Sequence, residues 1–161
     1  MRRALVLLLL VTACGGSSSG SSASSGKAGY LKQAEMICTT ANADTAAAKK
    51  ALPADVAAVP AYVHKLVDVA RKDVTDLSAL TPPKADAAAL QTKVLAPLKA
   101  QLADGDAFAA KVDAAAAAKD NTALTALILH PPTQTRVDVA FMKSYGFKQC
   151  VTAADTGGTA K

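Results

Sequence analysis

Alanine fills 38 of the 161 positions of this chain, against three tyrosines, three phenylalanines and no tryptophan. No other feature narrows the fold as much. Alanine loses no side-chain entropy in a helix and favours it more than any other residue. Strands need β-branched and aromatic clusters, and few interrupt the alanine here. The class is therefore all-α. Small side chains also bury little area each, so such a core calls for reinforcement.

The head of the chain gives an address. Met1-Arg2-Arg3 is basic, and Ala4 to Ala13 is unbroken apolar sequence with four consecutive leucines. This is the layout of a secretory signal over residues 1–13. The run is too short for a permanent span, which takes about 20 apolar residues. Val11-Thr12-Ala13-Cys14 then resembles the lipobox of bacterial lipoproteins. The resemblance implies cleavage before Cys14, a diacylglycerol thioether on its sulfur and acylation of the new amino terminus. Two or more acyl chains hold a protein on a membrane stably. The Ser/Gly-rich stretch that follows Cys14, residues 14–28 in all, cannot bury apolar surface. It reads as a flexible tether with a reach of roughly 20 Å.

The formal charge is +5, from 18 basic and 13 acidic residues. Removing Arg2 and Arg3 leaves 16 − 13 = +3. The lysines are scattered, without the basic stripe that nucleic acid requires. The expected partners are a membrane, through lipid on Cys14, and an envelope protein, wall polymer or lipid. The domain is expected to be a monomer on the extracytoplasmic face of the cell membrane.

The folded part is expected over residues 29–152, followed by a disordered tail over 153–161. A first helix runs from Tyr30 to Leu52, with Tyr30, Ala34, Ile37, Ala41, Ala48 and Leu52 on one stripe. Pro53 interrupts, and Asp55 to Val59 suits one further turn. A second helix runs from Pro60 to Leu80, with Val63, Leu66, Val67, Ala70, Val74 and Leu77 spaced by three and four. Thr81-Pro82-Pro83 ends it. A third begins near Lys84 and reaches about Lys119, with Leu90, Val94, Leu98, Leu102, Phe108 and Val112 on its apolar side. Pro97 should kink it, and Asp104-Gly105-Asp106 offers an alternative break. Asp120 caps a fourth helix, which His130-Pro131-Pro132 kinks or breaks before Val137, Ala140, Phe141 and Tyr145 resume the stripe. Gly146 suits a left-handed helix close, with Phe147 folding back.

Four amphipathic segments with short connections predict an up-down-up-down four-helix bundle, kinked in its third and fourth helices. The end of the fourth helix then lies beside the start of the first, which brings Cys150 near Cys38. An exported protein meets an oxidising compartment, so a Cys38–Cys150 disulfide is expected. The three cysteines divide into one for lipid and two for a bridge. "YLKQAEMICTTAN" (Tyr30 to Asn42), "ALTPPKAD" and "YGFKQC" (Tyr145 to Cys150) resemble a group of small exported helical proteins of actinobacteria. The resemblance implies the same fold and bridge and carries no activity.

Groups with possible chemistry are few. His64 and Asp68 could share a helix face but lack a third metal ligand. Asp104-Gly105-Asp106 lacks the rest of a calcium loop. Met36, Met142, His64 and His130 fall in no haem spacing. Ser78 and Ser144 lack a nucleophile-elbow context. Glu35 is the one glutamate, so no glycosidase-type carboxylate pair is visible. The expectation is a binding module with no cofactor and no catalytic residues. The alternative is a carrier of a small apolar ligand between the helices, and an enzyme stands third.

Overall fold

The structure, a computed structural model, describes residues 26–131 and 137–156, with side chains described as far as Thr152. Among these residues all regular structure is helical: α1 (Lys27–Lys50), α2 (Val59–Ala79), α3 (Ala87–Leu90), α4 (Ala96–Ala117), α5 (Asn121–Leu129), α6 (Val139–Tyr145) and α7 (Gln149–Thr156). The expected signal, Cys14 and the expected tether up to residue 25 lie outside the described residues.

Local sequence accounts for most of the ends. α1 stops at Lys50 because Pro53 pushes Leu52, the residue before it, out of the helical region. Leu52 is consequently not the last member of the α1 stripe; it is 66% exposed. Asp55 accepts the Ala57 N–H at 2.9 Å and starts the single turn Val56–Ala58. Pro60 sits in the first turn of α2, where its missing N–H costs nothing. Val59, Val63, Val67, Val74 and Leu77 of α2 are buried, while Ala70, expected in the same row, is exposed.

The third helix is continuous from Ala87 to Ala117 through one wide π turn, Gln91–Leu95. It does not break at Asp104-Gly105-Asp106. Pro97 explains the wide turn. A proline cannot donate to the carbonyl four residues back, and its ring crowds that carbonyl. The carbonyl concerned belongs to Lys93, and the chain spends it elsewhere: the Asp138 N–H donates to it at 3.1 Å. Across the turn the Ala96 N–H reaches back to Gln91 O. At the expected kink the helix passes its proline through a π turn, itself a common site of helix bending, and uses the freed acceptor to hold the start of α6.

The last helical stretch departs most from expectation. It is broken, not merely kinked. α5 begins at Asp120, whose carboxylate accepts the Ala123 N–H at 2.9 Å, and ends before His130. Pro132 to Arg136 lie outside the described residues. Asp138 caps α6 through the Phe141 N–H at 2.8 Å. That bond, followed by Lys93, holds the Asp138 carboxyl below its ordinary range. Gly146 closes α6 with φ 112°, and the Phe147 N–H donates to Met142 O, as expected for a left-handed close. α7 then carries the helix to Thr156, past residue 152.

Two apolar clusters fill the interior. One joins Tyr30, Ala34 and Cys38 of α1 to Leu77 of α2, Leu90 to Leu95 of the third helix, and Val137, Met142, Tyr145, Phe147 and Cys150. The other joins the start of α2 (Val59, Val63, Val67) to Ala109 and Val112 of α4 and Leu124 of α5. The start of α1 thus meets the end of α2, and the start of α2 meets the end of α4.

Candidate functional site

The sequence stretches at the two ends of the domain meet in a clasp. Cys38 and Cys150 form the disulfide across 112 residues, with both residues buried. One turn earlier on α1, the Glu35 carboxylate accepts the Lys148 N–H at 2.8 Å and the Gln149 N–H at 2.7 Å. These are orphan donors at the start of α7, so the one glutamate is a helix cap supplied from another helix. One turn later, Asn42 Nδ2 donates to Gln149 O at 3.1 Å. Tyr30 stands edge-on to Tyr145 and Phe147, with ring centroids 6.5 and 6.4 Å away. The Tyr145 hydroxyl donates to Asp86 Oδ2 at 2.8 Å, and burial, then Asp86, raises its pKa. The regular spacing Tyr30, Ala34, Cys38, Asn42 is that of one face of α1. Its chemistry is structural: each member holds the end of the chain.

Glu35→Ala leaves two helix-start amides without their acceptor. It is expected to cost about 1–2 kcal/mol in urea unfolding, with Glu35→Gln costing less because one acceptor oxygen remains. Equal losses in the two variants would contradict this role.

Two surface grooves remain. The first lies between α1 and α2, about 160 Å³ in volume, with Met36, Ile37 and Val69 on its apolar side and Asp44, Lys72, Asp73 and Asp76 on its polar side. Lys72 pairs with Asp76. Asp73 Oδ1 is out of reach of solvent and meets no hydrogen-bond partner among the described residues. Burial, then the nearby Asp76, pushes its carboxyl up to about 6, against the opposing pull of Lys72. The second groove, about 200 Å³, lies between the α1–α2 connection and α5 and is lined by Leu52, Pro53, Val56, Tyr62, Leu124, Ile128 and Leu129 among others. Three of the four large apolar side chains found exposed gather here: Leu52 (66%), Ile128 (37%) and Leu129 (68%). Sequence periodicity placed Leu52 inside and so missed this patch; Pro53, which shortens α1, was the available signal.

The remaining candidate groups are dispersed. His64 does not pair with Asp68; its Nε2 meets Asp113 of α4 at 2.9 Å. Asp68 pairs instead with Arg71, which also reaches Asp106. Asp104, Gly105 and Asp106 are ordinary helical residues of α4. Met142 is buried in the core, and Met36 stands 61% exposed at the rim of the first groove. The Ser144 hydroxyl donates to Phe141 O, and His130 lies exposed at the end of α5. Among the described residues no three His, Cys, Asp or Glu side chains are arranged to hold a metal ion. No known protein family, curated protein or solved structure matches the chain.

Proposed function

We propose that this chain is an exported lipoprotein, held by lipid on Cys14 at the extracytoplasmic face of the cell membrane. In this reading residues 1–13 are the signal, 14–26 the tether up to the start of α1, and the helices form an up-down-up-down four-helix bundle whose last member is segmented. The domain is a non-enzymatic binding module. It engages an envelope partner through the apolar groove around Leu52, Ile128 and Leu129.

The observation that carries the binding part is the exposure of those three side chains around one groove. An apolar patch with a concave centre is what a partner's apolar side chain would cover. The groove belongs to the end of the domain away from Lys27, where the tether attaches, so it points outward in an anchored molecule. The same geometry favours surface recognition over the carrier. Both grooves are open and smaller than the roughly 300 Å³ at which small-molecule pockets begin. One observation is compatible with lipid on Cys14, and a second is a plain fact of the described helices. The bridge consumes Cys38 and Cys150 and leaves Cys14 for lipid, and no described helix is long and apolar enough to cross a membrane.

Two measurements test the reading. Mass spectrometry of the protein from its native membrane is expected to find an amino-terminal peptide beginning at Cys14 with diacylglyceryl and acyl mass; an unmodified Cys14 overturns the anchor. A photo-crosslinking residue at Leu129 on intact cells is expected to form a discrete adduct that the same residue at Lys111 does not. Identical patterns from the two positions overturn the groove.

A further inference from the structure

The described charges are unevenly spread. The tether-end cluster is built from segments 27–38, 77–98 and 137–152. These segments hold six lysines (Lys27, Lys32, Lys84, Lys93, Lys143, Lys148) and three acids (Glu35, Asp86, Asp138), a balance of 6 − 3 = +3. Segments 39–76 and 99–131 hold eight basic and nine acidic residues, a balance of 8 − 9 = −1. Asp155, whose side chain is not described, is left out of both. The domain's positive charge therefore sits at one end.

The three acids of that end are also occupied internally. Glu35 takes two backbone amides of the α7 start, Asp86 takes the Tyr145 hydroxyl, and Asp138 takes the Phe141 N–H and Lys93. Contacts draw several of the lysines to one region. Lys27 Nζ lies 4.2 Å from the centroid of the Tyr145 ring; Lys84 is two residues from Asp86, which Tyr145 touches. Lys143 is on the same short helix as Tyr145, and Lys148 and Lys32 flank Glu35. All six lysines are exposed. In the proposed mature chain the segment 14–26 joins the domain at this end, ahead of Lys27.

We infer that this tether end, presenting Lys27, Lys32, Lys84, Lys143 and Lys148, is a docking surface for the anionic phosphate headgroups of a lipid bilayer. The inference rests on the lipid-anchored reading, because the anchor brings this end within a tether's length of such a surface. Charge complementarity then orients the molecule: lysines down on the headgroups, apolar groove outward. Each lysine near an anionic bilayer contributes about a fivefold gain in partitioning at low salt, and salt screens the gain.

The test uses the full mature chain from residue 14 with Cys14→Ser, so that no lipid contributes. Its partitioning is measured by co-sedimentation with phosphatidylcholine vesicles and with vesicles containing about one-third phosphatidylglycerol. The expected result is binding to the anionic vesicles alone, abolished by high salt. Combined Lys32→Gln, Lys84→Gln and Lys148→Gln should lower it on the order of a hundredfold. Combined Lys49→Gln, Lys50→Gln and Lys119→Gln, the same charge change at the other end, should lower it by less than about threefold. Should the first triple variant lose its helical circular dichroism, Lys84→Gln alone, on an exposed connection, is expected to lower partitioning about fivefold. Equal losses in both triple variants, or no binding of the parent to anionic vesicles, overturn the inference. Soluble polyphosphate that binds as tightly per phosphate as the vesicles overturns the assignment to a bilayer. These readouts are independent of the mass of native Cys14, so failure of the surface and failure of the anchor are distinguishable.

Discussion

Replacing Cys38 and Cys150 together by alanine is expected to lower the thermal midpoint by about 15 °C, from a loss of about 4 kcal/mol. The magnitude follows from the sequence separation of 112 between the two cysteines, a long loop whose closure strongly restricts the unfolded chain. It also follows from what remains without the bridge. α7 would be held by Val151, the Glu35 cap and one Asn42 hydrogen bond, each worth on the order of 1 kcal/mol. The variant should therefore lose α7 first, detectable as early amide exchange in residues 149–156 before global unfolding. Differential scanning calorimetry with and without reductant supplies the check. A loss below about 1 kcal/mol would mean that the clasp is redundant with the core.

Asp73→Asn is expected to stabilise the protein by about 1–2 kcal/mol at pH 7.5 and by almost nothing at about pH 3. The sign follows from the carboxyl's position. In the unfolded chain Asp73 titrates near 3.8, and in the fold it is pushed up to about 6. Well below pH 3.8, at about pH 3 and under, both states hold the proton and the residue costs almost nothing. As the pH rises from about 4 to about 6 the unfolded chain releases its proton first, so the fold loses stability. Above that window the cost is constant at about 2–3 kcal/mol. Asparagine removes the charge but leaves a half-satisfied amide, which keeps the gain below the full amount. Asp44 and Asp76 face the same groove and Lys72 opposes them, so the comparison of variant with parent isolates Asp73. Urea unfolding across this range decides the matter; a gain that does not change with pH would contradict it.

Signals that act within one turn of chain were legible in the sequence. Asp120 before an apolar run, Pro60 in a first turn, Gly146 with Phe147 behind it, and the two prolines after Thr81 each fix a boundary locally, and each stands where expected. The bridge was legible because the sequence reading placed the end of the last helical segment beside the start of the first, where Cys150 and Cys38 lie. What escaped depends on partners far along the chain. Glu35 looks like a lone surface acid until α7 arrives with two unpaired amides. His64 has Asp68 one turn away, yet its partner comes from α4. Leu52 fits a helical stripe that Pro53 ends too soon. The fourth helix was read as one because its apolar spacing survives the gap, although the break at His130 leaves its pieces to find separate anchors.

One of those anchors has a consequence for chain length. A π turn holds one residue more than the helix around it needs, so Gln91–Leu95 is a place where the third helix has room to be shortened. Removal of a single residue from most helices rotates everything downstream by about 100° and turns the core face outward. Removal of one here leaves Leu90 and Val112, two fully buried large side chains, in phase, but sets the Pro97 ring against the carbonyl four residues back. The segment that cannot follow is α6, which hangs from Lys93 O. Indels at this turn would thus spare the long helices and reposition the short one that leads to the clasp.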